Sequence, residues 1–299
     1  MRLVVAVSGV KKAVIPAAGL GTRMLPAAKA VPKELLPILD RPTIQYVVEE
    51  AAAGGIEDVL LVTSRTKRAV EDHFDRNVEL EARLGRTDKR FLLASIDALM
   101  NRVRVYSVNQ PEQKGLGHAV HQARNHLGND TFLCMLGDTI FSGDPPPAKQ
   151  LIDAHARLGT AVIGLEEVSP DRVDRYGIVG GESIGDGIVR ITQLVEKPQK
   201  DAAPSRLAIA ARYVLTPAIF DCLDRTTPGA GGEIQLTDAL QLLLEREPIH
   251  GVVLRARRHD IGNPIEWLKT NLVFASRDPA LWAQIAPLLR ELLGGMMRG

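Results

Sequence analysis

Residues 13–37 constrain the fold of this chain more than any other stretch, and they read AVIPAAGLGTRMLPAAKAVPKELLP. The first three residues form a short apolar run, which predicts a buried strand ending at Pro16. Small residues and two glycines follow, and they permit backbone conformations and close approaches that a β-carbon would block. Three prolines toward the end of the stretch exclude a regular helix directly after this loop.

The same loop carries positive charges, which makes it a candidate phosphate-binding site. Arg23 offers a forked guanidinium suited to phosphate oxygens, and Lys29 and Lys33 add two more cations. Backbone N–H groups of such a loop can also point at an anion. The candidates for this backbone contact are Ala18, Gly19, Gly21 and Thr22. The loop has neither the G-K-[ST] ending of a P-loop nor the third glycine of a dinucleotide fingerprint. Glycine loops also join strands to helices in many proteins, so the loop alone leaves its function open.

The first half of the chain alternates predicted helices and strands. Helices are predicted at residues 43–53, 70–84 with a break near Asn77, 91–100 and 118–127, and strands at residues 58–63, 103–108 and 131–136. This order predicts a mainly parallel sheet with right-handed crossovers and flanking helices. Ligands of such sheets bind at the carboxyl ends of the strands, which is where the opening loop lies.

The second half has closely spaced strands with glycine-rich turns, which favours antiparallel pairing. Strands are predicted at residues 161–165, 177–179, 188–195, 207–215 and 251–255, and helices at residues 217–223, 235–245, 264–274 and 279–293. We expect one compact α/β domain over residues 11–275 and a helical extension over residues 276–299. The last helix is a candidate packing or oligomer face.

Composition excludes several classes of protein. Hydrophobic residues at 45% and charged residues at 24% are ordinary for a globular chain, and a net charge of +1 gives no reason to expect nucleic acid or a membrane surface as partner. No apolar run approaches the length of a membrane span. Two cysteines form no disulfide framework, which favours a reducing cytoplasm. The first ten residues, MRLVVAVSGV, are too short for a signal peptide, and we interpret them as an extra leader or an early start codon.

The string GLGTRMLP followed by PKELLP resembles the signature of sugar-nucleotide pyrophosphorylases, most closely the bacterial UDP-glucose pyrophosphorylases. The resemblance covers roughly residues 11–275. It implies a Rossmann-like mixed sheet flanked by helices, the nucleotide-diphospho-sugar transferase fold, with a smaller antiparallel sugar-binding part and C-terminal helices. It further implies a cytoplasmic, Mg2+-dependent homo-oligomer, a dimer or tetramer, that makes UDP-glucose and pyrophosphate from UTP and glucose 1-phosphate. Its catalytic cations would be Arg23, Lys33 and Lys197.

A second glycine-containing segment, QPEQKGLGH at residues 110–118, follows the third predicted strand of the parallel sheet. It could be a simple turn into a helix. Gln110 could instead form paired hydrogen bonds with a nucleobase edge, and Gly115 could let the base lie against backbone. The resemblance implies that this segment binds uracil. Glu34 is a weaker candidate for the same pocket, with a solvated helix-end carboxylate as the alternative.

Two aspartates are candidate metal ligands. Asp138 follows the strand predicted at residues 131–136, where a carboxylate can bind a hard cation that bridges phosphates, although it could equally cap a turn. The resemblance implies a second metal-binding carboxylate at Asp260, in HDIGN, where an Asx turn before Pro264 is the alternative. Close UDP-glucose relatives often carry Pro-Asp where this chain has Gly-Asp-Thr. A thymidylyltransferase or another sugar-1-phosphate nucleotidyltransferase therefore remains an alternative.

The motifs YGIV at residues 176–179 and VEKP at residues 195–198 match the sugar-phosphate site of the family. Glu196 could accept hydrogen bonds from sugar hydroxyls, Lys197 could neutralise the sugar phosphate, and Gly177 could admit the sugar ring. A surface Glu-Lys pair before a proline is the alternative for the second motif.

The expected chemistry needs no enzyme nucleophile. A sugar 1-phosphate has a second pKa of about 6, so it is already anionic at neutral pH. The sequence shows no G-x-S-x-G, H-E-x-x-H or His-x-His motif. We therefore expect a direct, single-displacement transfer. A non-catalytic regulatory paralogue that binds sugar nucleotide is an alternative of a different class.

Overall fold

The computed structural model describes residues 9–85, 87 and 89–296. The strands are β1 (Lys12–Pro16), β2 (Pro37–Ile38), β3 (Arg41–Pro42), β4 (Asp58–Thr63), β5 (Arg104–Asn109), β6 (Phe132–Met135), β7 (Thr139–Ser142), β8 (Ala161–Glu167), β9 (Gly177–Gly185), β10 (Ile188–Glu196), β11 (Leu207–Leu215), β12 (Ile249–Val253) and β13 (Arg257–Asp260). The α-helices are α1 (Thr43–Ala53), α2 (Arg68–Asp72), α3 (Val78–Leu84), α4 (Ala94–Met100), α5 (Leu116–His121), α6 (Arg124–Leu127), α7 (Pro147–Leu158), α8 (Ala218–Arg225), α9 (Leu236–Leu244), α10 (Pro264–Ala275) and α11 (Pro279–Met296). Of the segment interpreted as a leader, residues 1–8 lie outside the described residues.

Nine of these strands form one mixed sheet in the order β5-β4-β1-β6-β11-β8-β12-β10-β9. Strands β5, β4, β1 and β6 run parallel, β11 is antiparallel to β6 and β8, and β10 is antiparallel to β12 and β9. The predicted α/β class, with a parallel first half and an antiparallel second half, is confirmed. Because β1 lies between β4 and β6, the loop after Pro16 opens at the edge where their carboxyl ends meet.

Helices cover both faces of the sheet because β1 and its neighbours are apolar on both sides. Ile15 belongs to a core cluster that includes Val47 of α1 and Leu151 of α7. Val14, its neighbour along the strand, belongs to a second cluster that includes Phe220 of α8 and Leu240 of α9. Successive strand residues point to opposite faces, so a continuous apolar run is what a strand buried on both faces requires.

Several elements differ from the sequence prediction. The prediction did not include the strands β2, β3, β7 and β13 or the helix α7, and the strand expected at residues 251–255 begins at Ile249. The helix expected at residues 91–100 begins as a 3-10 turn, Arg90–Leu93, and the helix expected at residues 118–127 is divided into α5 and α6. The break expected near Asn77 is present, because its side chain accepts a hydrogen bond from Leu80 N and so caps α3.

The C-terminal part consists of α10 and α11, and the domain boundary predicted at residue 275 falls between these helices. The division itself stays a prediction. Leu288, Leu292 and Leu293 of α11 are more than half exposed. No helix in the described ranges is long and apolar enough to cross a membrane.

Candidate active site

The loop after β1 contains no α-helix and instead forms short 3-10 turns at Thr22–Met24, Ala27–Lys29 and Lys33–Leu35. Gly21 is needed there for two reasons. Its φ of +67° is in the left-handed region, and a β-carbon at this position would lie 3.3 Å from the Lys33 side chain. The glycine therefore lets Lys33 pack across the loop.

Two adjoining cavities are lined by the site residues predicted from sequence, with the exception of Lys29. The first, of about 410 Å³, is lined by the predicted nucleotide-binding residues Ala18, Gly19, Gly21, Thr22, Glu34, Gln110 and Gly115. The second, of about 770 Å³, is lined by Arg23, Gly177, Glu196, Lys197 and Asp260. Lys33 and Asp138 line both cavities and so lie where they meet. Lys29, the remaining loop cation, lines neither of these two cavities.

Lys33 and Asp138 form an ion pair, with 2.5 Å between Nζ and Oδ2. Burial is the largest single influence and disfavours the charge on both groups, but the partner and the other neighbouring groups together outweigh it in each case. Asp138 raises the pKa of Lys33 above its usual value, and Lys33 lowers the pKa of Asp138 below its usual value. Both groups are therefore charged at neutral pH.

Asp138 and Asp260 come from neighbouring backbone segments. Strands β7 and β13 pair with Asp260 opposite Thr139, and Ile261 N donates to the Asp138 carbonyl at 3.2 Å. Asp260 thus ends a strand that the sequence prediction did not include. Its Oδ1 accepts a hydrogen bond from Gly262 N at 2.7 Å.

The donor set fits a magnesium ion held through substrate. In the described part of the chain, no three His, Cys, Asp or Glu side chains are grouped as a metal cage. Two carboxylates lining one cavity suit Mg2+ because this ion usually takes one or two protein carboxylates together with water and substrate phosphates. The residues present are therefore compatible with a phosphate-bound magnesium ion.

The predicted sugar-binding residues are fixed by β9, β10 and α9. Gly177 is opposite Glu196 in the sheet, and a β-carbon at residue 177 would lie 2.9 Å from Thr237 Oγ1 and 3.2 Å from Glu196 Oε2. Thr237 Oγ1 donates to Glu196 Oε2 at 2.6 Å. Lys197 Nζ lies 3.2 Å from the other Glu196 oxygen, and Lys197 has a left-handed φ of +43°. A non-glycine residue in this conformation is strained, and such strain clusters at functional sites.

Gln110 is buried at the end of the first cavity. Its Nε2 donates to Gly115 O at 3.2 Å and to His118 Nδ1 at 2.9 Å. Burial lowers the pKa of His118, which favours the neutral ring that this contact requires. Gly115 has a φ of +99°, and a β-carbon there would lie 2.7 Å from Ile234 O. Packing against residue 234 therefore requires this glycine, whereas the ligand contact expected from sequence stays a prediction.

Glu34 is not the solvated carboxylate offered as an alternative reading of the sequence. It is 1% exposed, and Lys67, 6% exposed, donates to both of its oxygens at 2.7 and 2.8 Å and to Ala17 O at 2.6 Å. Burial raises the pKa of Glu34 and lowers that of Lys67, and the charge of each partner opposes the shift. Sequence reasoning missed Lys67, because no local motif marks a lysine that pairs with a residue 33 positions earlier.

Sequence reasoning also missed part of the cationic wall of the larger cavity. Its further cations are Arg172, Arg175 and Arg258. Arg258 lies over the Tyr176 ring at 4.4 Å and is ion-paired with Glu166, while Arg172 donates to the Tyr176 hydroxyl at 2.7 Å. Arg175 stands directly before the YGIV motif, so its position next to that motif was a usable signal. With these residues, the cavity is suited to binding an anionic substrate.

The comparisons with known proteins agree with the fold and the two cavities. The profile of the family described as "Nucleotidyl transferase" matches residues 12–276, so this chain belongs to the nucleotidyl transferase family. Within it, the chain is similar to proteins named UTP--glucose-1-phosphate uridylyltransferase. The one from Staphylococcus epidermidis is 46% identical and the one from Staphylococcus saprophyticus 47% identical, each over 95% of this chain and 98% or 99% of the relative.

Solved structures give the same result. UTP-bound UGPase from Acinetobacter baumannii matches with a TM-score of 0.87 and 38% identity, covering 95% of this chain and 99% of that one. A UDP-glucose pyrophosphorylase complexed with UDP-glucose matches with a TM-score of 0.84 and 38% identity, covering 90% and 100%. The predicted resemblance to the bacterial UDP-glucose pyrophosphorylases is confirmed.

Proposed function

We propose that this chain transfers the uridylyl group of UTP to glucose 1-phosphate, producing UDP-glucose and pyrophosphate. The observation that carries this proposal is the pair of adjoining cavities that share Lys33 and Asp138. One cavity has the glycine loop and Gln110, and the other has Gly177, Glu196 and Lys197. The charged residues at the junction are then placed where the two substrates would react.

The smaller cavity would bind UTP. The backbone of the loop at residues 18–22 would contact the phosphates, as small-residue loops do elsewhere. Gln110 would present its amide oxygen to the uracil edge, since its nitrogen is already used by Gly115 and His118. Arg23 and Lys33 would neutralise the triphosphate, and they would stabilise the charge that develops on departing pyrophosphate.

The larger cavity would bind glucose 1-phosphate. Glu196 would accept hydrogen bonds from sugar hydroxyls, Gly177 leaves room for the ring, and Lys197 would contact the phosphate. An oxygen of that phosphate attacks the α-phosphorus of UTP. The bond from the α-phosphorus to the bridging oxygen breaks, and the electron pair leaves with pyrophosphate. The attacking phosphate is already anionic, so the protein needs only to position the two substrates and neutralise the charges of their phosphates.

Asp138 and Asp260 would hold a magnesium ion together with the phosphates. Magnesium supplies charge neutralisation at the phosphoryl oxygens when it is bound. We also propose a cytoplasmic homo-oligomer. Two buried cysteines without a disulfide and the exposed apolar side chains of α11 support this reading.

The proposal is tested by measuring pyrophosphate release over a matrix of four nucleoside triphosphates and several sugar 1-phosphates. We expect the highest kcat/KM with UTP and glucose 1-phosphate, and intersecting double-reciprocal lines because both substrates bind before reaction. A preference for dTTP would support the thymidylyltransferase alternative. Absence of turnover, with UDP-glucose still bound, would support the regulatory paralogue. A trapped uridylyl-enzyme would exclude direct displacement.

The metal ligands are tested by Asp138→Asn and Asp260→Asn, which keep side-chain shape and remove charge. We expect both variants to fold, to lose kcat by orders of magnitude and to need more magnesium. Near-normal activity of Asp138→Asn would overturn the metal assignment. Near-normal activity of Asp260→Asn alone would leave a site based on Asp138.

A further inference from the structure

We propose that Arg212 and Glu50 form a buried clamp that positions the Asp138 turn, residues 136–139, for reaction. Neither residue lines the two cavities that contain the candidate site. The inference rests on the proposed role of Asp138, and it assigns Arg212 and Glu50 as positioning residues.

The clamp is a two-point ion pair across the sheet. Arg212 of β11 is 0% exposed, and its Nε and Nη2 donate to the two Glu50 oxygens at 3.0 and 2.7 Å. Glu50, on α1, also accepts from Ala148 N at the start of α7 at 3.0 Å. The guanidinium lies over the Phe141 ring at 4.8 Å. These contacts fix the plane of the guanidinium.

The remaining donors of Arg212 point at the Asp138 turn. Nη2 donates to Thr139 O at 2.8 Å, and Nη1 donates to Leu136 O at a longer 3.5 Å. The two carbonyls flank Asp138 on either side. Thr139 is also the residue opposite Asp260 in the pairing of β7 with β13. Arg212 therefore holds the backbone that carries one candidate metal ligand and pairs with the other.

Ala211, which precedes Arg212 in β11, also contacts the Asp138 turn. Ala211 has a left-handed φ of +56° within an irregular part of β11, where pairing with β8 shifts register between Ile209 and Tyr213. Its carbonyl accepts from Leu136 N at 3.2 Å and from Arg212 Nη1 at 3.0 Å. The irregularity thus turns the Ala211 carbonyl toward the Asp138 turn. The strained left-handed backbone at Ala211 therefore places a hydrogen-bond acceptor for that turn.

Stability alone does not explain a buried ion pair at this position. Apolar residues of similar volume often replace such a pair without loss of stability, because the cost of burying two charges offsets their attraction. Apolar residues cannot donate hydrogen bonds to two carbonyls in a fixed direction. Directional support of the turn is what the Arg212 guanidinium provides.

The test compares the wild type with Arg212→Lys and with the double variant Glu50→Gln/Arg212→Met. The lysine keeps the charge but loses the fork, and the double variant removes both charges together, so no unpaired buried charge remains. Ile56→Ala is the control, because it removes buried packing at the start of β4, away from both cavities. Hydrogen exchange of peptides covering residues 132–142 is measured without substrate. Steady-state kinetics are measured over magnesium concentration.

We expect faster exchange at residues 136–142 in both clamp variants and unchanged exchange there in Ile56→Ala. We also expect kcat to fall about 10- to 100-fold and the magnesium concentration for half-maximal rate to rise, with KM for glucose 1-phosphate unchanged, because only the turn is displaced. Wild-type exchange and magnesium dependence in the double variant would overturn the clamp. So would failure of that variant to fold, which would assign the pair a purely structural role. If the wild type shows no turnover, the proposed function fails, while the exchange measurement still decides the clamp.

Discussion

Lys67→Met is the change that most directly tests how the loop after β1 is stabilised by the contacts of Lys67 with Ala17 and Glu34. The substitution leaves the Glu34 carboxylate 1% exposed and without its cation, and it leaves the Ala17 carbonyl without its lysine donor. Breaking a buried ion pair on one side typically costs about 3–5 kcal/mol of stability. With an unfolding entropy of about 2.1 cal/mol/K per residue, a chain of 299 residues loses roughly 1.6 °C of Tm per kcal/mol, so Tm should fall by roughly 5–8 °C.

The exposed ion pair of Lys11 and Glu57 provides a matched control for the fall in Tm expected of Lys67→Met. Lys11 and Glu57 are joined at 2.5 Å, but their side chains are 57% and 65% exposed. An exposed pair is worth only about 0–1 kcal/mol, so Lys11→Met should change Tm little. The double variant Glu34→Gln/Lys67→Met should recover most of the stability lost in Lys67→Met, because the unpaired charge is gone.

Thermal unfolding followed by circular dichroism measures these changes in Tm. Repeating it at several pH values tests the direction in which the stability deficit of Lys67→Met changes with pH. Burial already raises the pKa of Glu34, and Lys67 is the largest charge that opposes this shift. Without Lys67 the pKa rises further. A raised carboxyl pKa means that the folded state binds the proton more tightly, so the stability deficit of Lys67→Met should shrink as pH falls toward 4.5.

The same variant should weaken UTP binding. Loss of a charge-assisted hydrogen bond to Ala17 O is worth about 1.5–3 kcal/mol, which corresponds to roughly a 10- to 100-fold rise in KM for UTP if the loop loosens. The reasoning is refuted if Lys67→Met is no less stable than Lys11→Met. It is also refuted if the deficit grows rather than shrinks at acid pH.

Three other predictions use the same geometry. Glu196→Ala should raise KM for glucose 1-phosphate by about tenfold or more and leave KM for UTP unchanged, with Thr237→Val as a milder control; an equal rise for both substrates would indicate misfolding. Neutral His118 accepts from Gln110, and burial holds its pKa below 6.5, so its contribution to stability is lost as pH falls from 6.5 through the folded pKa. KM for UTP should rise over this range in the wild type and less in His118→Gln, whereas identical profiles would assign the effect to another group. Burial raises the pKa of Cys134 to about 12, and Cys222 is also fully buried. Ellman's reagent should therefore react with neither thiol until guanidinium unfolds the chain; rapid labelling of the native protein would contradict this burial.

Local patterns explain which elements could be predicted from sequence. The helix Thr43–Ala53 lies between Pro42 and Gly54 and has a periodic apolar face. The strand Asp58–Thr63 contains a continuous apolar run at residues 59–62, and both elements were predicted at their observed bounds. Strand β13 could not be predicted in this way. Its sequence, RRHD, has no strand-like apolar pattern, and it forms because β7 supplies the pairing partner. Pairing between distant segments overrides local preference at such positions.

The candidate site likewise contains residues that a local motif predicts and residues that only contacts between distant segments bring in. Glycine loops and motifs such as YGIV and EKP are local, and the residues that the sequence singled out in them, such as Gly19, Gly177 and Glu196, line the two cavities. The supporting ion pairs are not local. Lys67 pairs with Glu34 over 33 positions, Lys33 with Asp138 over 105, and Arg212 with Glu50 over 162. Charge type alone cannot select these partners among the chain's 37 basic and 36 acidic residues, so only the fold identifies them.

The Lys33–Asp138 pair also explains how a chain of net charge +1 can present a strongly charged site. Partly buried charges without partners are costly, and here each side chain has a partner that helps to keep its pKa on the charged side. Under the proposed function, a triphosphate would compete for Lys33, and a magnesium ion on that triphosphate would compete for Asp138. Binding nucleotide and metal together would then exchange one ion pair for two, so neither side chain is left unpaired. Binding either alone would leave one of them exposed to that cost. Under the proposed function the pair would therefore favour simultaneous entry of the metal and the nucleotide, and the proposed Arg212–Glu50 clamp would hold Asp138 in place during the exchange.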